Sequence, residues 1–274
     1  MTNETWLTEL TDWRAERDRL IRAENSWLAL AGLCWLEEGE NLLGSADKAD
    51  VQLPDWAPGE LGVVDFREGR VTLWVADGHS VTVDGANVQE AELQLDVTGQ
   101  PTWVRHGSLA LIAIQRGARV GLRIWDNSRA EREMFPPRKW YSADLAYHVE
   151  ARIVAYDPPK PIIVPDILGD AVESGADVRL EFVINGVSCA LDMFALEDGR
   201  YYLLFKDETS GRDTYPTGRY IYTGTPTGDR VILDFNRAYN PPCAFTPYAT
   251  CPMAPRENIL TVAIPAGERY GGGH

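Results

Sequence analysis

Residues 4–24 place Trp6, Leu7, Leu10, Trp13, Leu20 and Ile21 at near-helical spacing, with arginines and glutamates on the opposite face. That period predicts an amphipathic helix, with Thr2 or Asn3 available as its cap. Its apolar stripe must rest on another element, and the segment that follows, SWLALAGLCWL, is the nearest candidate. From Gly39 the texture changes to short apolar-polar runs cut by turns: ENLLGS, ADVQLP, LGVVDF, RVTLWVA, HSVTVDG, ELQLDV, SLALIAIQRG and RVGLRIWD. Alternation at period two, punctuated by Asp-Gly and Arg-Gly, predicts a β-sandwich over residues 39–130. Residues 131–165 hold Pro136-Pro137, one alternating strand at 147–155 and a second proline-rich stretch, which predicts a connector. The remainder, 166–274, is again β-type, with a hairpin across Asn185-Gly186, two aromatic strands, the run RVILDF and NILTVAIPAGE as a last strand. Five or six antiparallel strands predict a barrel-like C-terminal domain. The fold class is therefore mainly β, behind an N-terminal helical segment of residues 1–38.

Over residues 39–126 the order of elements resembles a forkhead-associated domain. A GENLLGS turn, an ADVQLP strand and VTVDGANV stand where that family has a turn, a strand and a valine-asparagine-glycine turn. The resemblance implies the sandwich without its phosphothreonine chemistry. Ser45 follows Gly44 where the readers carry arginine, and PGELGVV replaces their serine and histidine, so a phosphate would lack its bidentate partner.

Composition narrows the partners. The net charge of -15 over 274 residues argues against nucleic acid and against anionic membrane, since either would be repelled. The most apolar run, residues 27–36, falls short of the roughly twenty residues needed to span a bilayer. MTNETWLTELTDW has acidic residues where a secretory signal would be basic, so a cytoplasmic location is expected.

Familiar catalytic signatures do not occur: there is no Walker loop, dinucleotide GxGxxG, GxSxG elbow or HExxH. No metal and no cofactor is expected. His79 and His106 lie at turns without a second ligand-type residue at metal spacing, His148 reads as an ordinary strand histidine, and His274 in the terminal GGGH receives no role. Cys34 and Cys189 sit among apolar neighbours and read as small hydrophobes. Cys243 and Cys251, eight apart, leave three readings open: reduced core thiols, a loop-closing disulfide, or a metal or nucleophilic role. Arg138, Lys139, Trp140 and Tyr141 could form one wall of an anion pocket or a solvated basic turn.

The densest chemistry lies in residues 234–258, DFNRAYNPPCAFTPYATCPMAPREN. Asp234 and Asn236 share a strand face, and Arg237 begins the loop. A site of strand-end residues is expected at the mouth of the C-terminal domain: Arg219 and Arg237 as charge partners, Asp234, Asn236 and Asn240 orienting, and Tyr215, Tyr222 and Tyr248 as walls. The competing reading is a buried polar network, with Asp234 paired to Arg237 or Arg219. The expected ligand is a small polar or anionic molecule. If the site is catalytic, Asp234 or Glu257 is the expected general base. The alternative is a protein-interaction module built on the sandwich.

The blocks FKDETSGRDTYPTGRYIYT and VILDFNRAYNPPCAFTPYATCPMAPREN, with the closing AIPAGE, resemble the bacterial and archaeal family catalogued as domain of unknown function 1684. SWLALAGLCWLEEGENLLGSADKADVQLP is similar to the front of the same family. The family has no established activity, so the resemblance implies relatives without supplying chemistry, and it transfers no catalytic residue.

Overall fold

The structure is a computed structural model that describes residues 2–271; His274 lies outside the described residues. Helix α1 (Asn3–Ile21) opens the chain. Eleven strands follow: β1 (Leu30–Trp35), β2 (Gly39–Gly44), β3 (Val51–Gln52), β4 (Gly62–Arg67), β5 (Arg70–Val75), β6 (Val81–Val83), β7 (Ala86–Val88), β8 (Glu90–Leu93), β9 (Val104–His106), β10 (Leu109–Arg116) and β11 (Arg119–Asp126). A short helix α2 (Glu131–Met134) precedes six more: β12 (His148–Pro165), β13 (Ala171–Ile184), β14 (Val187–Ala195), β15 (Tyr201–Phe205), β16 (Arg219–Tyr222) and β17 (Arg230–Asp234). The fold class is mainly β, with the N-terminal helix, a two-sheet sandwich and a C-terminal antiparallel sheet. Among the described residues no helix is long and apolar enough to cross a membrane.

The chain forms two compact units, residues 19–135 and residues up to 18 together with those from 136 onward. In the first, a six-stranded sheet (β1-β11-β10-β9-β6-β7) faces a five-stranded one (β3-β2-β4-β5-β8). Alternation carries the packing: Leu109, Leu111 and Ala113 of β10 with Val120, Leu122 and Ile124 of β11 meet Val64, Val71 and Leu73 in one core. Gly44, in the turn that the resemblance uses, has no room for a side chain, because a Cβ there would lie 2.1 Å from the Gly59 carbonyl oxygen. Residues 30–35 were expected in the helical segment and instead form β1, because LAGLCW pairs along β11.

The second unit holds the sheet β16-β15-β14-β13-β12-β17. Val178, Leu180, Phe182 and Ile184 alternate inward along β13 and join Leu203, Phe205, Ile221, Leu233 and Phe235 in its core. The β13–β14 hairpin turns on Asn185 and Gly186, whose φ values of 51° and 78° are the left-handed pair that a two-residue hairpin demands. The end strands β16 and β17 are consecutive in the chain and meet again through Gly224 N–H donating to the Ile232 carbonyl at 2.9 Å. The sheet therefore curls into a half-barrel.

Two expected boundaries shift here. The stretch 131–165 is not a free connector, since β12 runs through it and residues 160–165 pair with β13. Its prolines are tolerated because β17 pairs only with residues 148–152, leaving the proline-rich half as an edge. NILTVAIPAGE is not a strand: a 3-10 turn (Arg256–Asn258) ends on its first residue, and irregular backbone follows. Its groups are satisfied singly, with Leu260 N–H donating to the Lys206 carbonyl at 2.8 Å and Ile264 N–H to the Asp207 carboxylate at 2.7 Å. Helix α1 up to Asp18 belongs with this unit, whereas the sequence pointed to SWLALAGLCWL as its support. Thr2 caps it, accepting at its hydroxyl from Thr5 N–H. Trp6 and Leu10 are buried while Leu7 and Leu20 remain exposed, so the working stripe is narrower than the apolar residues suggested.

Candidate functional site

A cleft of about 560 Å³ opens in the second unit. Helix α1 supplies Trp6, Trp13 and Arg17, which fall on one face because seven and four residues are close to whole turns. The start of β12 supplies His148, the end of β16 supplies Tyr222 and the turn after it, and β17 supplies Ile232 and Asp234. Arg200, Arg237 and Tyr239 complete the lining. The register of the β12–β17 pair sets His148 opposite Asp234.

Asp234 is the anchor. It ends β17 and caps the 3-10 turn Phe235–Arg237, its Oδ1 accepting from the Asn236 backbone N–H at 3.1 Å and from Asn236 Nδ2 at 2.9 Å. Its Oδ2 accepts from Trp6 Nε1 at 2.9 Å, tying α1 to the strand across 228 residues of sequence. His148 Nδ1 lies 3.2 Å from the same oxygen, and Arg237 Nε 3.6 Å. A carboxylate so engaged is fixed in place and orients its neighbours. Of the two carboxylates expected as a general base, Asp234 lines the cleft and Glu257, exposed, lies outside it.

The three arginines share one arrangement. Each guanidinium carbon lies over an aromatic ring: Arg17 over Tyr239 at 3.8 Å, Arg200 over Tyr222 at 5.6 Å and Arg237 over Trp13 at 5.9 Å. Stacking by its face leaves a guanidinium's in-plane N–H groups free for an oxyanion. Arg17 Nε is buried without a hydrogen-bond partner. Arg200 and Arg237 contact Asp198 at 2.7 Å and Glu9 at 3.9 Å, pairs exposed enough to exchange for a ligand at small cost. Burial raises the Tyr239 hydroxyl pKa above its ordinary value, so this wall stays neutral at physiological pH. Among the described residues no three His, Cys, Asp or Glu side chains cluster as a metal site would need.

Of the eight residues expected at the site, Tyr222, Asp234 and Arg237 line the cleft. Arg219 does not. It is fully buried, pairs with Asp207 at 3.3 Å and donates to the carbonyls of Ile264 and Ala266, replacing the sheet ladder that the last segment lacks. Asn236 is fully buried, its side chain exchanging hydrogen bonds with the Asp144 backbone at 2.9 Å each way. Asn240 bonds to Glu268 and Arg269, Tyr215 donates to the Cys243 carbonyl, and Tyr248 lies outside the cleft. Arg138 is buried between Asp18 and Glu268, so the basic wall at 138–141 is structural. His148, read as an ordinary strand residue, is on the cleft wall, and its place in an alternating strand carried no signal of that. Trp6 and Trp13 were legible as part of the helix's apolar stripe, whose destination the sequence does not state, whereas Arg17, grouped with the charged opposite face, was missed.

The model for the family described as Protein of unknown function (DUF1684) matches residues 133–269, and the chain belongs to that family. Among solved structures, it is similar to an uncharacterised protein of Haloarcula marismortui determined by solution NMR, at 32% identity over 53% of this chain and 82% of that chain, with a TM-score of 0.43. It is also similar to the FhaA FHA domain, crystallised in complex with the intracellular domain of another protein (18% identity, 34% of this chain, 96% of that chain, TM-score 0.25). A second FHA domain structure matches at 20% identity over 34% of this chain and 95% of that chain, with a TM-score of 0.24. No curated protein matches the chain.

Proposed function

We propose that the cleft binds a small anionic molecule with a flat or apolar body, in a cytoplasmic protein. The observation that carries this reading is the set of three arginines, each laid on an aromatic ring around one cleft whose only acid, Asp234, is already engaged. In a chain of net charge -15, such a concentration of cations is a local exception. The volume lies within the range of small-molecule sites, roughly 300–1,000 Å³. The aromatic walls favour a ring or an alkyl body, and the guanidinium edges favour carboxylate or phosphate. Where the bound molecule reacts, His148, its Nδ1 3.2 Å from Asp234 Oδ2, is the imidazole that the cleft offers.

A thermal-shift panel of aromatic carboxylates, citrate and sugar phosphates tests the reading. A probe present at about a hundred times its dissociation constant adds roughly 2.7 kcal/mol, which is plainly visible as a raised melting temperature. Arg17→Ala and Arg237→Ala should each abolish that rise, while Arg256→Ala, exposed and outside the cleft, should leave it intact. A flat panel removes the proposal and leaves the interaction-module reading of the sandwich, without phosphothreonine recognition, to be pursued by pull-down.

A further inference from the structure

Cys243 and Cys251 form a pair that the cleft does not use. Both are buried in a small cluster with Tyr215, Ala244 and Ala249, in the proline-rich loop of the second unit. The Cys243 backbone N–H donates to Cys251 Sγ at 3.2 Å, which seats the second thiol against the first cysteine. The Thr217 hydroxyl stands 4.0 Å from Cys243 Sγ on its other side. A thiol seated on the other cysteine's backbone, in the same buried cluster, needs only a local shift of this loop to bring the two sulfurs together. Cys243 keeps 9% of its surface exposed and Cys251 4%, so solvent reaches the first more readily.

We propose that this pair is a peroxide-sensitive dithiol in which Cys243 is attacked first and Cys251 resolves it, closing the 243–251 loop by a disulfide. The Cys243 thiolate takes one oxygen from hydrogen peroxide; the S–O bond forms, the O–O bond breaks, and hydroxide leaves, to be neutralised by the proton that Cys243 released. Cys251 sulfur then attacks the sulfenic acid; the S–S bond forms, the S–O bond breaks, and the oxygen departs as water with the Cys251 proton. The net change is two thiols oxidised to one disulfide and one peroxide reduced to two waters. The roles follow from the asymmetry of the pair. The Cys251 hydrogen bond holds Cys243 down to about 7, whereas Cys251, burdened by the same bond and by burial, is pushed up. Cys34 and Cys189 are both raised by burial, and Cys34 lies in the other unit.

The test is peroxide treatment of the folded, full-length protein at neutral pH, followed by alkylation of remaining thiols under denaturing conditions and peptide mapping. The expected result is a loss of two hydrogen masses, a linked peptide joining Cys243 to Cys251, and Cys34 and Cys189 still alkylated. Cys243 should react about tenfold faster than either of those, or more. In Cys251→Ser, dimedone should trap a sulfenic acid on Cys243; in Cys243→Ser, no fast adduct should form. Full alkylation of all four thiols after peroxide, or a linkage involving Cys34 or Cys189, overturns the proposal. The wild-type mapping decides it even where a serine variant fails to fold. Because no anionic probe enters this assay, its outcome is independent of the cleft reading.

Discussion

At the scale of single residues the polar side chains of the C-terminal half divide by whether their partners are already present. Arg219 is the clearest case. Its guanidinium is fully desolvated, which lowers its pKa, and Asp207 with two backbone carbonyls offsets part of that cost. Arg219→Met leaves Asp207 buried without its cation, and the expected loss is about 3–5 kcal/mol in urea denaturation. Trp6→Phe keeps the ring and deletes the bond to the charged Asp234, for an expected loss of about 1.5–3 kcal/mol by the same measurement. Residue type alone does not separate these roles. Arg219 and Arg237 look equivalent in sequence, yet one is sealed behind Phe205 and Ile264 while the other is about a third exposed at the cleft.

At the scale of elements, helix α1 is a wall of the cleft as well as an amphipathic stripe. Leu10, 1% exposed, holds its face down, and Leu10→Ala should cost about 2–5 kcal/mol while lowering affinity for any cleft ligand, read together by denaturation and thermal shift. The β13–β14 hairpin depends on its turn instead. Gly186→Ala forces a side chain into left-handed backbone, and the expected loss is about 1–2 kcal/mol, with Asn185→Gly close to neutral. This hairpin was legible because Asn-Gly between two alternating runs is a local signal. The last segment was misread for the complementary reason: NILTVAIPAGE alternates like a strand, but Asp207 and Arg219, distant in sequence, bond to its backbone where a neighbouring strand would.

At the scale of the whole molecule, buried ionisation shapes the response to pH. Glu268 is 1% exposed, and burial raises its carboxyl from 4.5 to about 7 despite the Arg138 guanidinium at 3.4 Å. Between those values the folded state binds more protons than the unfolded one, so stability falls as pH rises through the window from about 4.5 to about 7. Denaturation midpoints measured across that window should decline, and Glu268→Gln should flatten the decline whatever it does to absolute stability. The sequence by itself determined the β architecture, because inward alternation and turn residues are properties of neighbours in the chain, and it carried the family. It also marked residues 234–258 as chemically dense. Only the tertiary structure decided which of those groups meet solvent: the cleft joins Trp6, Trp13 and Arg17 to Asp234, Arg237 and Tyr239, and that union comes from the helix docking on a curled sheet. A period fixes which face a residue takes, but the partner on that face is supplied by chain closure over more than two hundred residues, about which local pattern is silent.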